Sequence, residues 1–197
     1  MSRPPRIVWG LTGYGPLPYP AVYTSHMLAI SYASRFYATS FLDGSAGMLS
    51  VYATDRMYTH SAENLLVRKF LEETDGTHLF LTELDMVIPL DTITKLEVLD
   101  KPLASGLYFL RGGEGQPCLY APAPVTPALS RFPHSPVKLF PTETPFKLAK
   151  AGGCAGLGCV LIRRDVFETI EPPWFDLKEK NEKTGEGYGS DMYFYTK

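Results

Sequence analysis

A chain of 197 residues with 45% hydrophobic residues is long enough for one domain with a full core. Its 19 basic and 21 acidic residues give a net charge of −2 without a basic block, which argues against a nucleic-acid-binding protein. The apolar runs are far shorter than the roughly 20 residues of a membrane span, and the N-terminus lacks the apolar core of a signal peptide. We therefore expect a cytoplasmic protein with reduced cysteines and no membrane span.

The first half of the chain alternates predicted strands and helices. Strands are predicted at 6–11, 47–53 and 78–81, and helices at 21–37 and 60–74. This order, β-α-β-α-β within about eighty residues, is typical of a parallel sheet with right-handed crossovers. The first helix is predicted from apolar residues at helical spacing, namely Met27, Ile30, Ala33 or Ser34, and Phe36 or Tyr37.

The second predicted helix is amphipathic. Ala62, Leu66 and Phe70 form one apolar stripe, and Ser61 is a candidate N-cap. The glutamates at 72–73 crowd its C-terminal end, where the helix dipole disfavours negative charge.

The third predicted strand ends in two acids, Glu83 and Asp85. Acids at i and i+2 of an extended segment point the same way, and hard divalent cations prefer such oxygen ligands and bring phosphates with them. Ligands of open α/β sheets bind beyond the carboxyl ends of the strands, where Thr12, Gly13 and Asp55 also stand. The pattern indicates a metal and nucleotide site, although solvated turns and acids are equally compatible with these short motifs.

The second half of the chain is less regular. A short helix is predicted at 89–100 and strands at 102–110 and 159–162, followed by a helical turn at 165–170. Between the strands, residues 111–145 hold eight prolines, which excludes a central strand or a helix and indicates an ordered functional excursion. The glycine-rich stretch 151–158 lacks the Lys-Ser/Thr of a phosphate-binding loop, so close backbone packing explains it better.

Four blocks together resemble nucleotide-sugar glycosyltransferases of the GT-A fold, of the phage and bacterial family-2-like type. They span about residues 7–194 and comprise the helix with Asn64, the acidic strand end FLTELDM, the strand at 101–108, and GLGCVLIRRDVFETIEPPWF followed by GSDMYF. The resemblance implies an α/β, GT-A-like (Rossmann-like) three-layer sandwich with a central, mainly parallel sheet. It also implies a single domain with a nucleotide-binding half, 1–100, and an acceptor-side half, 101–197.

The same resemblance implies a metal-dependent transfer of sugar from a UDP- or GDP-linked donor to a glycan or other hydroxyl acceptor. Mn²⁺ or Mg²⁺ would be held by Asp85 and Glu83. The implied nucleotide-sugar site comprises Thr12, Gly13, Asp55, Asn64, Glu83 and Asp85, and the implied acceptor side comprises Gly156, Gly158 and Trp174. Asp191 would be the catalytic base of an inverting reaction.

The chain departs from the family pattern at three points. Glu83 stands where the family has Asp, Ser190 stands where its acidic "ED" motif has Glu, and the family's downstream histidine would fall beyond Lys197. A C-terminal truncation therefore stays open. So do two other functions: a degraded GT-A-like protein that binds sugar or nucleotide, and a sugar-phosphate nucleotidyltransferase. For Trp174, burial in the core is the alternative to stacking on a sugar.

Overall fold

The computed structural model describes residues 5–13, 20–37, 49–54, 57–110, 115–122, 134–136, 153–177 and 189–197. Its strands are β1 (Ile7–Thr12), β2 (Leu49–Ala53), β3 (His78–Glu83), β4 (Leu103–Ser105), β5 (Leu119–Pro122), β6 (His134–Pro136), β7 (Cys154–Ala155) and β8 (Cys159–Arg163). Its helices are α1 (Pro20–Tyr37), α2 (Thr59–Glu73), α3 (Thr92–Glu97), α4 (Arg164–Thr169) and α5 (Ser190–Tyr195). The protein is thus a mixed α/β protein, as expected.

The chain divides into two compact units. The first comprises Met1–Gly106 and Leu157–Trp174, and the second comprises Leu107–Gly156 and Phe175–Lys197. This division differs from the predicted halves 1–100 and 101–197. β8 pairs within the sheet of the first unit, and α4, which follows it, belongs to the same unit.

The first unit is built on a five-stranded sheet with the order β2-β1-β3-β8-β4. β1 pairs in parallel with both β2 and β3, which confirms the parallel arrangement expected for the first half. β8 is antiparallel to both β3 and β4. The sheet is therefore mixed: β1, β2, β3 and β4 run in one direction and β8 runs in the opposite direction.

β1 lies in the core of the first unit. All six of its residues are buried, as its nearly continuous apolar sequence IVWGLT leads one to expect for a strand covered on both faces. Trp9 packs edge-on against Phe80, with 5.2 Å between ring centroids. Its indole nitrogen donates a hydrogen bond of 2.8 Å to Thr82 Oγ1, so the buried N–H is satisfied.

Helix α1 confirms the predicted helix, but only part of its apolar pattern is buried. Met27 is 47% exposed, whereas Ala33 is buried. The buried face also comprises Val22, Ser25, His26 and Ala29. Because this face contains two polar residues, the apolar pattern alone does not identify it.

Helix α2 buries the predicted stripe of Ala62, Leu66 and Phe70. The prediction that Ser61 is its N-cap is wrong. The helix begins at Thr59, so Ser61 lies within its first turn. The N-cap position is Tyr58, whose side chain makes no capping hydrogen bond.

The C-terminal end of α2 is stabilised by an arginine from α4. Arg164 Nη1 donates hydrogen bonds to the carbonyl oxygens of Phe70 at 3.2 Å and Thr74 at 3.1 Å, and its Nη2 donates to Leu71 O at 2.6 Å. The guanidinium also lies over the Phe70 ring, 5.2 Å from the centroid. The helix dipole disfavours the two glutamates of the last turn, and this arginine places a positive charge at the same end of the helix.

The second unit contains the three-stranded antiparallel sheet β6-β5-β7 together with α5. The prolines at 111–145 were expected to exclude any central strand, yet β5 is the middle strand of this small sheet. Proline is tolerated there because Pro122 is the last residue of β5 and Pro117 lies before it. Elsewhere, β4 is much shorter than the predicted strand 102–110, and α3 is shorter than the predicted helix 89–100.

Candidate functional site at the carboxyl edge of the sheet

The carboxyl ends of the three parallel strands meet at one edge of the sheet. Thr12, the last residue of β1, is in register with Glu83, the last residue of β3. Thr54, which follows β2, donates its backbone N–H to Leu11 O at 3.0 Å. Thr12, Thr54 and Glu83 therefore lie along the edge where ligands of open α/β sheets bind. Asp55, the next predicted site residue, lies outside the described residues.

The acidic pair forms a turn. β3 ends at Glu83, and a hydrogen bond of 3.2 Å from Met86 N–H to Glu83 O closes the turn over Leu84 and Asp85. The premise that both acids lie on one extended segment is therefore wrong. Glu83 N–H donates to Gly158 O at 3.3 Å, which ties the turn to the chain entering β8. Both Glu83 and Asp85 are half-buried.

Gly13 packs against this turn. A Cβ atom at Gly13 would lie 2.6 Å from Leu84 Cβ, far inside van der Waals contact. Leu84 N–H also donates to Thr12 O at 2.7 Å. A backbone hydrogen bond thus joins the end of β1 to the acidic turn, and the Leu84 side chain leaves no room for a Cβ atom at Gly13. The sequence pointed to Gly13 but offered no signal for the role of Leu84.

A buried histidine lies behind the turn. The His26 ring packs edge-on against Trp9, with 5.5 Å between centroids, and neither ring nitrogen has a hydrogen-bond partner among the described residues. Burial lowers the pKa of His26, and the nearby Met86 backbone offsets part of that shift. Ser25, the residue before His26, accepts the N–H of Ile88 on its Oγ at 3.4 Å. Two polar residues of α1 thus adjoin the segment that follows Asp85.

The lowered pKa of His26 predicts a loss of stability in mild acid. Its folded-state pKa lies below the ordinary value of 6.5, so the unfolded chain takes up the proton first as the pH falls. The free energy of unfolding should therefore decrease below about pH 6.5, by at most about 1.4 kcal/mol per pH unit for each such histidine. His78, whose pKa is lowered by burial and by the charge of Arg163, acts in the same direction.

Urea unfolding of the wild type and of His26→Leu between pH 8 and pH 5 measures this effect. We expect a flatter dependence on pH for the variant, with the difference appearing below pH 6.5. Equal slopes would show that His26 titrates alike in both states.

Asn64 and Trp174, from two blocks of the family resemblance, contact each other. Asn64 Oδ1 accepts the N–H of Trp174 at 3.0 Å, and its Nδ2 donates to His60 O at 2.8 Å. The Trp174 side chain is 8% exposed and its indole N–H donates to Phe167 O at 3.0 Å. Trp174 is thus a core residue, which was the alternative to a role in stacking on a sugar. Asn64 fixes the backbone of Trp174 by accepting its N–H.

The two predicted glycines of the acceptor side belong to different units. Gly158 lies in the first unit, beside Glu83. Gly156 lies in the second, where its N–H donates to Cys118 O at 3.0 Å and a Cβ atom would collide with the Tyr108 hydroxyl. Close packing accounts for Gly156, as the sequence suggested.

Asp191 is the second residue of α5, in the second unit. Its Oδ1 accepts the N–H of Met192 at 2.8 Å, and no ion pair to it is found among the described residues. Burial raises the pKa of Asp191, and hydrogen bonds from backbone N–H groups offset part of the shift. Burial, with the Asp191 charge adding to it, raises the pKa of Cys154 to about 12. Asp191 is thus a half-buried carboxylate of increased basicity.

The residues fit a divalent cation in chemistry but form no complete cage. Among the described residues, no group of three or more His, Cys, Asp or Glu side chains could hold a metal ion. Magnesium-type sites, however, commonly use one or two carboxylates, several waters and substrate phosphates. Glu83 and Asp85 match that donor set, and the metal assignment stays a prediction.

An open cavity of about 570 Å³ lies at the opposite, amino edge of the sheet. Its three arginines each pair with an acid on the rim: Arg6 with Asp75, Arg163 with Asp165, and Arg164 with Glu168. Because these charges balance and the arginine donors are engaged within the protein, we regard the cavity as a surface groove and place the candidate site at the carboxyl edge.

No family model matches the chain, and no curated protein matches it. Among solved structures, the chain is similar to A197 from STIV, with a TM-score of 0.58 and 15% identity, covering 97% of this chain and 76% of that one. At this identity the likeness shows the fold alone, a mixed α/β fold. Within the described residues, no helix is long and apolar enough to cross a membrane.

Proposed function

We propose that the chain is a metal-dependent glycosyltransferase with a GT-A-like, three-layer fold, moving sugar from a nucleoside-diphosphate sugar to an acceptor hydroxyl. The observation that carries the proposal is the acidic turn of Glu83 and Asp85. It follows the middle strand of the five-stranded sheet, at the edge where β1 and β2 also end. This is where nucleotides bind open α/β sheets, and carboxylates there suit a metal-bound diphosphate.

The proposal gives each of these residues a chemical task. Asp85 and Glu83 would hold Mn²⁺ or Mg²⁺, which when bound supplies positive charge to the departing diphosphate. Thr12 and Gly13, at the end of β1, would offer backbone groups to the donor. Asp191 would accept the proton of the acceptor hydroxyl as general base.

Thermal melting with UDP or GDP, with and without Mn²⁺, tests the donor site. Ligand at 100 times its Kd stabilises the folded state by about 2.7 kcal/mol, which for a chain of this size raises Tm by roughly 5–10 °C. We expect that shift to require the metal and to disappear in Asp85→Asn.

Asp165→Asn is the matched control, since Asp165 is an exposed acid at the opposite edge of the same sheet. It should retain the full shift. If neither nucleotide produces a metal-dependent shift in the wild type, the donor site is refuted.

A protein that binds the donor without transferring sugar is the second candidate. Two observations favour it. The described residues contain no group of three or more His, Cys, Asp or Glu side chains that could hold a metal ion. Ser190, which stands where the family has an acid, is buried. Metal-dependent binding without release of nucleoside diphosphate from any nucleotide sugar would favour it over the enzyme.

A further inference from the structure

The outward face of α1 is unusually poor in charge. The helix has 18 residues, PAVYTSHMLAISYASRFY, and Arg35 in its last turn is the single Lys, Arg, Asp or Glu among them. A helix at the surface of a globular protein normally carries charged side chains on the side away from the core. More than three turns of α1 lack them.

Large apolar side chains share that outward face with the exposed but uncharged Thr24 and Ser31. Tyr23 is 53% exposed, Met27 is 47% exposed and Leu28 is 53% exposed, while the opposite face of α1 is buried in the core. A helix with apolar residues on both sides is usually covered on both.

The segment beside α1 adds to this surface. Ile88 is buried and its N–H donates to Ser25 of α1, whereas its neighbours Val87 and Leu90 are 61% and 45% exposed. We name the exposed residues Tyr23, Met27, Leu28, Val87 and Leu90 the α1 face. All five belong to the first unit.

The lack of charge discriminates between possible occupants. A helix that lies on a membrane surface is rich in Lys and Arg on its polar side, and α1 has Arg35 alone. A strongly charged protein partner would find no complementary group. In a two-fold symmetric dimer the same patch meets itself, so an uncharged patch avoids the repulsion between like charges that a charged one would suffer.

The area sets the strength of such a dimer. A helix of 18 residues is about 27 Å long and about 10 Å wide, which gives a footprint of roughly 300 Å². With Val87 and Leu90 the α1 face is on the order of 500 Å² per copy, below the roughly 800 Å² per partner of a standard stable interface. We propose that the α1 face is the interface of a weak, reversible homodimer.

Sedimentation velocity of the full chain from about 1 to 300 μM tests the proposal. We expect the weight-average sedimentation coefficient to rise with concentration, from that of a monomer toward that of a dimer. Met27→Glu places like charges across the interface and should increase the dimer Kd at least tenfold. Leu28→Glu, on the same face, should do the same.

Val98→Glu is the matched control. Val98 follows α3, is 76% exposed and lies outside the α1 face, so this variant should dimerise like the wild type. Far-UV circular dichroism establishes that each variant is folded.

Three results would overturn the proposal. The first is a monomer at every concentration, including the case in which it binds phosphatidylcholine vesicles instead. The second is dimerisation that survives both α1 variants. The third is a monomeric wild type whose Tm falls in Met27→Glu, which would mean that a segment of this chain outside the described residues covers the helix.

Discussion

Replacing Asp191 by asparagine is expected to reduce sugar transfer roughly 10²–10⁴-fold while leaving binding of the nucleoside diphosphate unchanged. Asparagine keeps an oxygen that can accept the N–H of Met192, as Asp191 Oδ1 does at 2.8 Å, so the start of α5 is retained. What is lost is the carboxylate that, in the proposed reaction, takes the proton from the acceptor hydroxyl. The release of UDP or GDP from a panel of nucleotide sugars, with and without acceptor, measures the rate.

The pH profile separates a base from a structural residue. Burial raises the pKa of Asp191 above its ordinary value of 3.8, and only the deprotonated carboxylate can act as base. The acid limb of kcat should therefore have its midpoint above pH 3.8, and this limb should vanish in the residual activity of Asp191→Asn.

Asp176 offers a matched control in the same unit. Its Oδ1 accepts the N–H of Leu177 at 2.8 Å, which is the same local bond that Asp191 makes. Asp176→Asn should transfer sugar at the wild-type rate. Transfer that persists in Asp191→Asn would remove Asp191 as base while leaving the metal-dependent donor site intact.

Much of the first unit could be predicted because its signals are local. The apolar runs of β1 and β3 and the periodicity of α2 each depend on residues a few positions apart. The repeated β-α-β order then predicted parallel pairing, which the register of Thr12 with Glu83 confirms. Because parallel strands in this register end at the same edge of the sheet, residues as far apart in sequence as Gly13 and Asp85 could be assigned to one edge.

The rest of the fold and of the candidate site depends on contacts between residues far apart in the sequence, which no local pattern predicts. The strand at β8 was predicted, but its antiparallel position between β3 and β4 was not, because pairing partners lie far along the chain. In α1, the helix was predicted but its buried face was not, since Ser25 and His26 are polar yet buried while Met27 is apolar yet exposed. The turn at Asp85 likewise depends on the packing of Leu84 over Gly13.

The C-terminal end of α2 is the clearest case of a contact that no local sequence pattern predicts. The two glutamates of its last turn were recognised as unfavourable; Lys69 pairs with Glu73 at 3.4 Å, but the last turn itself holds no basic residue. The compensating cation is Arg164, more than 90 positions from the Leu71 carbonyl to which it donates. It also donates to Gly76 O at 3.3 Å and pairs with Glu168 at 2.8 Å, so one side chain joins α2, the turn into β3 and α4.

Arg164→Leu is accordingly expected to destabilise the first unit by about 2–4 kcal/mol, since hydrogen bonds from a charged donor contribute roughly 1.5–3 kcal/mol and part of that loss is recovered by water. For a chain of this size the corresponding fall in Tm is about 5–15 °C. Arg164→Lys should recover part of the loss, because lysine keeps the charge at the helix end but lacks the planar fork that reaches several carbonyls.

Arg163→Leu is the matched control for this effect. Arg163 is the preceding residue and pairs with exposed Asp165, and exposed ion pairs of this kind add little to stability. Thermal and urea unfolding of the three variants should therefore rank Arg164→Leu as the least stable, Arg164→Lys as intermediate and Arg163→Leu as close to wild type. If the two leucine variants unfold alike, the carbonyls of α2 are satisfied equally well by water, and the arginine is dispensable to the helix end it caps.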